Sequence, residues 1–265
     1  QLEEITKAIR RGIIEVVYKA KSGHPGGSLS SAELMAVLYF NEMNIDENNP
    51  KWEDRDRFIL SKGHCSPALY SCLAQKGFFD KELLTTVRRI DSDLQGHPDM
   101  NKIPGVDMTT GSLGQGLSVA NGMAIAGKID NKNYRVYTIL GDGEIEEGQV
   151  WEAAMSASHY KLDNLCVIVD KNKLQIDGTT EQIMNSSPLD EKFKSFGFEV
   201  ITIDGNNILE IMKAFAKTRN IKSKPTCIIA ETTKGKGVSF MENKVEWHGK
   251  APNEEQYNLA MEELK

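Results

Sequence analysis

Val136-Tyr137-Thr138-Ile139-Leu140-Gly141-Asp142-Gly143-Glu144-Ile145-Glu146-Glu147-Gly148 is the stretch on which the fold turns. A β-branched apolar run ends in two glycines around one aspartate, and further carboxylates stand where a helix should begin. The same grammar recurs. Short runs at Phe58–Leu60, Val136–Leu140, Leu165–Asp170, Phe198–Asp204 and Thr226–Glu231 alternate, from residue 114 onward, with helical segments. Apolar strands separated by helices are the signature of a parallel sheet covered on both sides. An α/β fold is therefore expected, with a doubly wound, mainly parallel sheet and helices on both faces. In such folds ligands bind at the loops beyond the carboxyl ends of the strands, so the chemistry is sought where the glycines cluster.

Working outward, residues 2–21 read as an amphipathic helix through Leu2, Ile5, Ile9, Ile13, Val16 and Val17. Ser30 and Glu33 have capping-box spacing and predict a second helix to about Asn41. Ser66-Pro67 and Ser187-Pro188 read as N-caps followed by proline in the first helical position. The segment from Leu113 to Ala126 reads as a helix rich in small residues, which suggests close backbone approach within the fold or across a subunit interface. No linker, repeat or shift of composition divides the 265 residues, so a single domain over 1–265 is expected.

Composition narrows the function. With 40% hydrophobic and 26% charged residues the chain is not of the disordered class, and a formal charge of −6 without a basic stripe argues against nucleic acid. No apolar run is long enough to span a membrane, and Gln1-Leu2-Glu3-Glu4 lacks the basic and apolar regions of a signal peptide, so a cytoplasmic protein is expected. The four cysteines include no C-x-x-C pair. Cys166 and Cys227 sit in apolar runs and Cys65 and Cys72 in a helical segment, so neither zinc nor a redox disulfide is indicated.

Histidine placement points to a site. Four of the five histidines touch a glycine: Gly23-His24-Pro25-Gly26-Gly27, Lys62-Gly63-His64, Gly96-His97-Pro98 and His248-Gly249. Glycine marks turns, and plain surface turns would account for the pattern. The functional alternative is a set of imidazoles held on tight loops around a polar ligand, donating to hydroxyls or phosphate oxygens and exchanging protons near neutral pH. The stretch 139–148 invites a dinucleotide-binding reading, since Asp170 ends the next strand, but Glu146 occupies the place of the third glycine. Asp142, Glu146 and Glu147 would repel a bare diphosphate. A cation resolves the conflict: Asp142 could hold Mg²⁺, sharing its oxygen shell with phosphates and with neutral oxygens from the neighbouring strand end. Asp170-Lys171-Asn172-Lys173-Leu174 can supply them, Asn172 lying thirty residues beyond Asp142.

Gly141-Asp142-Gly143 followed by Asn172 resembles the thiamine diphosphate-binding motif. The wider set is similar to the N-terminal, diphosphate-binding domain of transketolase, in order from about residue 2 to 252. It comprises Ser22-Gly23-His24-Pro25-Gly26, Ser61-Lys62-Gly63-His64, Gly96-His97-Pro98, Thr110-Gly111-Ser112-Leu113-Gly114-Gln115-Gly116, Ile176-Asp177-Gly178 and Gly235-Lys236-Gly237 with His248-Gly249. The resemblance implies that Asp142, the side chain of Asn172 and the carbonyl of Leu174 hold Mg²⁺. It places His64, Gly111, Ser112, Leu113, Gly143, Asn172 and His248 against thiamine diphosphate, and gives His24, His97, His248 and Glu147 catalytic parts. The three histidines would surround the sugar hydroxyls, and Glu147 would lie near the dimer interface. Two departures bear on fine specificity: Ser112 stands where the family usually has proline, and Asp204-Gly205-Asn206-Asn207 lacks the usual histidine.

The activity implied is that of the N-terminal subunit of a split transketolase, moving a two-carbon ketol unit between sugar phosphates, as in the pentose phosphate pathway. A pyrimidine-binding C-terminal subunit would supply the missing glutamate, in an α2β2 assembly. The alternatives are another thiamine diphosphate enzyme, such as deoxyxylulose-phosphate synthase, and a nicotinamide-dependent dehydrogenase.

Overall fold

Every strand pair runs parallel, in the order β1-β2-β3-β5-β4, where β1 is Arg57–Leu60, β2 Val136–Gly141, β3 Leu165–Lys171, β4 Glu199–Asp204 and β5 Thr226–Glu231. The computed structural model describes residues 1–265. The three central strands are apolar on both faces because both faces are covered. Tyr137, Ile139, Cys166, Ile168, Ile228 and Ala230 point to one core, and Val136, Leu140, Val167, Val169, Cys227 and Ile229 to the other.

The larger core is closed by α1 (Leu2–Ala20), α3 (Ala32–Val37), α4 (Ser66–Lys76), α9 (Ile208–Thr218) and α10 (Glu254–Glu263). The smaller is closed by α5 (Gln115–Ile129), α6 (Gly148–His159) and α8 (Leu189–Ser195). Two short helices, α2 (Pro25–Ser30) and α7 (Thr180–Ile183), complete the set. The sheet is thus wound on both sides, and wholly rather than mainly parallel. One consequence governs function. All carboxyl ends lie along one rim, so Ser61, Asp142, Asn172 and Thr232, each just beyond a strand, open onto the same pole.

Several helix starts differ from the capping signals. Ser30 ends α2, and its hydroxyl donates to Asp170 at 2.6 Å, while Glu33 pairs with Arg10, so the spaced pair forms no capping box. Buried charged partners outcompete the local amides. The chain past α3 continues as a π turn over Leu38–Glu42. Ser66 is the first residue of α4 rather than its cap and donates to the Gly96 carbonyl at 2.9 Å. Pro188, joined to Ser187 by a cis peptide bond, stands at the N-cap of α8 instead of inside it. In the small-residue segment the helix begins only at Gln115. Gly114, with φ of 81°, lies outside it as the N-cap. A Cβ on Gly116 would lie 2.4 Å from the Ser61 hydroxyl, so close approach occurs within the fold there, whereas Gly122 has nothing within 4 Å. All four cysteines are buried and free.

Burial sets the expected energetics. Ile168, fully buried in β3, should lose about 3–4 kcal/mol on truncation to Ala, whereas Ile201 on the half-buried edge strand β4 should lose less than half of that. Urea unfolding of the two variants checks the ranking, and equal losses would contradict it.

Candidate active site

Asp170, at the carboxyl end of β3, has no exposed surface, and it accepts hydrogen bonds from three distant segments and, at 3.4 Å, from Asn172 Nδ2 two residues on. Oδ2 accepts from the Lys62 ammonium and from Ser30, and Oδ1 accepts from Thr232. Lys62, 1% exposed, also donates to the Gly27 carbonyl at 2.8 Å. Burial penalises both charges, but each opposes the penalty on the other: the Lys62 ammonium is raised above the ordinary lysine range and the Asp170 carboxyl held below its own. The pair draws the loop after β1, helix α2 and the loop after β5 onto β3. With every oxygen engaged inside the protein, Asp170 has no acceptor to offer a nucleotide ribose.

Asp142 stands one strand over, 3% exposed, with no side-chain cation hydrogen-bonded to it. Its oxygens accept backbone N–H groups, Lys173 at 2.6 Å and Gly143 at 3.1 Å. Burial, reinforced by the neighbouring Asp170 charge, pushes its carboxyl up to about 7. Asn172, also buried, turns Oδ1 to the amide of Leu174 at 3.2 Å, and the Leu174 carbonyl receives the Lys234 ammonium at 2.9 Å. One carboxylate, one carboxamide oxygen and one carbonyl form a donor set suited to a hard divalent cation, and a buried carboxylate lacking a counter-charge is the group such a cation would stabilise. No group of three His, Cys, Asp or Glu side chains is arranged around a common point, and this set needs only one such residue.

Lys234 links the oxygens to the histidines. Its Nζ lies 3.0 Å from His248 Nδ1 as well as on the Leu174 carbonyl. The rings of His24 and His64 are 5.0 Å apart, those of His24 and His248 5.3 Å, and those of His64 and His248 5.5 Å. His97 packs on Gly111, where φ is 149° and a Cβ would come within 3.1 Å of the ring, so glycine is required. Burial, with neighbouring cationic groups, lowers His24 and His64 to about 4 and His248 to about 3, and lowers His97 as well. Burial thus favours the neutral form of each of the four rings. Burial also brings Lys234 down to about 8, and the ammonium facing His248 Nδ1 leaves that ring's proton on Nε2. His24 Nδ1 is buried without a partner in the protein.

The loop Thr110–Gly114 is pinned beside these rings. A Cβ on Gly63 would strike Thr110 Oγ1 at 2.6 Å, so the loops bearing His64 and Gly111 are in direct contact. Glu144 ties them to the turn after β2: buried, it accepts the amides of Gly114 and Gly141, each at 3.0 Å, and the hydroxyl of Ser61. Ser112 and Leu113 are exposed at the rim. Glu147 is exposed at the N-cap of α6 and forms no part of the histidine cluster. Glu146 is also exposed, so of the carboxylates after β2 only Asp142 and Glu144 face inward.

Four residues that shape the pole escaped the motif reading: Lys62, Asp170 as an ion-pair partner, Glu144 and Lys234. The signal was faint but present for the lysines, since each sits in a glycine-flanked turn directly after a strand. For Glu144 there was none, because nothing local separates it from Glu146 and Glu147.

Residues 2–264 match the model of the transketolase thiamine diphosphate-binding domain. The chain is 48% identical to a 6-deoxy-6-sulfo-D-fructose transketolase subunit from Clostridium sp. (strain MSTE9), over 100% of this chain and 96% of that protein. It is 44% identical to an apulose-4-phosphate transketolase subunit from Phocaeicola vulgatus, over 99% and 93% of the two. Among solved structures, transketolase from Leishmania mexicana superposes with a TM-score of 0.94 at 32% identity, and this chain spans 41% of that one. No helix is long and apolar enough to cross a membrane.

Two outcomes test this geometry. Glu144→Ala leaves two amides and a hydroxyl without their acceptor and should lower stability by about 2–3 kcal/mol, with faster hydrogen exchange at Gly114; unchanged exchange there would contradict the staple. His64, held near 4 against an unfolded value of 6.5, resists a proton that the unfolded chain accepts. Its contribution to stability is complete above pH 6.5 and is lost as pH falls towards 4. Calorimetry of His64→Asn should therefore show a smaller fall in Tm between pH 7 and 4.5 than the unmodified chain, and parallel curves would refute it.

Proposed function

The chain belongs to the transketolase family through its thiamine diphosphate-binding domain, and on that premise we propose that it is the N-terminal subunit of a split transketolase, which moves a two-carbon ketol unit between sugar phosphates as a transferase. The observation that carries this reading is the single chain of contacts at the sheet's carboxyl pole, from the Leu174 carbonyl through Lys234 to His248 and on to His24 and His64. It joins a set of oxygens suited to a metal to a set of neutral imidazoles suited to hydroxyls. The relatives named as subunits, matched over nearly their full length, support the split form.

In this reading Asp142, Asn172 and the Leu174 carbonyl would hold Mg²⁺, and His64, Gly111, Ser112, Leu113, Gly143, Asn172 and His248 line the cofactor. When bound, thiamine diphosphate supplies the carbon centre that carries the two-carbon unit. The chain's own contribution is orientation and proton exchange. Neutral imidazoles can both accept from and donate to hydroxyls, which imidazolium ions cannot, so lowering their pKa values readies His24, His97 and His248 for sugar recognition. His248 presents Nε2–H as a donor because Lys234 faces Nδ1. His24 has a ring nitrogen with no partner of its own. Glu147, exposed beside the Gly114 loop, lies at the interface with a pyrimidine-binding partner chain that completes an α2β2 assembly. A cytoplasmic setting in sugar phosphate metabolism is part of the same proposal.

Cofactor binding should need the metal. Thiamine diphosphate with Mg²⁺ should raise Tm, chelator should abolish the shift, and Asp142→Ala should remove most of it. An undiminished shift in chelator would overturn the metal bridge. With the partner chain added, His24→Ala and His97→Ala should lower ketol transfer by about a hundredfold or more while leaving cofactor affinity near that of the unmodified chain, and His64→Ala should weaken the cofactor itself. Equal losses of cofactor affinity in all three would contradict the division.

A further inference from the structure

Arg10, Glu33 and Asn206 come from α1, α3 and the turn between β4 and α9, and none of them hydrogen-bonds a histidine or Lys234. They meet behind the pole. Arg10 Nη2 reaches both Glu33 oxygens at 2.6 Å, and its Nε donates to the Lys236 carbonyl at 2.9 Å. Asn206 Nδ2 donates to Glu33 Oε2 at 3.2 Å, while Oδ1 accepts the amide of Thr233 at 2.9 Å. The loop after β5 is thus gripped at Thr233 by a carboxamide and at Lys236 by a guanidinium, and Glu33 joins the two grips.

Between them stands Lys234, 2% exposed, aimed at the Leu174 carbonyl and His248. Arg10 and Glu33 are 7% and 5% exposed. Burying such a pair carries a desolvation penalty that apolar residues of similar volume would not, so its presence is not accounted for by stability alone. What it provides here is a fixed direction. Asn206 must donate to a carboxylate and accept from an amide at once, which a neutral carboxamide does and a carboxylate cannot.

We propose that Asn206 is a positioning residue of the site. Through the Thr233 amide, and through Glu33 with Arg10, it holds Lys234 at the junction between the metal-type oxygens and the histidines. The proposal rests on the reading of that pole as a cofactor site.

The test uses the full chain with Asn206→Asp, which keeps the acceptor for Thr233 but sets a second carboxylate against Glu33, and with Asn206→Asp/Glu33→Gln, which restores a single charge opposite Arg10. The readout is acetylation of lysines by N-hydroxysuccinimide acetate, followed residue by residue by mass spectrometry. Lys62, which donates to Asp170 and the Gly27 carbonyl and makes no hydrogen bond of its own to this loop, is the internal reference. In Asn206→Asp the labelling rate of Lys234 should rise about tenfold with Lys62 unchanged, and the double variant should return most of the way to the unmodified chain. Thiamine diphosphate affinity with Mg²⁺ should fall and recover in step.

A Lys234 rate unaffected by Asn206→Asp would overturn the proposal while leaving the cofactor reading standing. Equal rises at Lys62 and Lys234 would overturn it too, as general loosening. If Asn206→Asp does not fold, Asn206→Ala takes its place with the same labelling expectation and the same refuting result. Absence of any thiamine diphosphate binding by the unmodified chain would overturn the cofactor reading and the proposal with it.

Discussion

The buried pair of Lys62 and Asp170 is the constraint on which the rest of the pole depends. Two charges taken out of water are tolerated only when each is the other's partner and the remaining donors and acceptors are filled, and here Ser30, Thr232 and the Gly27 carbonyl fill them. Those partners belong to helix α2 and to the loops after β1 and β5, so satisfying one ion pair brings together segments more than a hundred residues apart. His24 and His64 are carried on two of them, and Lys234 on the third. Glu144 does the same work one strand over without a counter-cation, using amides and a hydroxyl, and so registers the Gly114 loop against the turn after β2.

The electrostatics of the pole follow from this enclosure. Burial lowers the histidines and raises Asp142, so groups that would carry opposite charges in water are both driven towards neutrality. Lys62 is different, because its carboxylate is in contact. What results is a site with one compensated ion pair at its base, neutral rings on one side and an uncompensated carboxylate on the other. Lys234 spans the two sides, its ammonium shared between a carbonyl and an imidazole.

The alternation of apolar strands with helices determined the fold by itself. A strand apolar on both faces can satisfy its burial only between two layers of helices, and all five strands lie within a residue or two of the runs read from the chain. The positions of His64, Asp142 and Asn172 just beyond strands were equally legible, since loops at strand ends carry local signatures, whereas His24, His97 and His248 follow no strand and were marked only by their glycine neighbours. Capping was not. Ser30, Glu33 and Ser66 have the residue types and spacing of caps, yet each hydroxyl or carboxylate bonds a group far away in the chain, which local spacing does not encode. Only the tertiary structure decided which charges are buried. It turned Glu144 inward and left Glu146 and Glu147 in solvent, matched Lys62 to Asp170 and Arg10 to Glu33, and set Lys234 between two halves of the site. The reason is that a carboxylate's environment is fixed by what packs over it, and what packs over these residues arrives from distant parts of the chain.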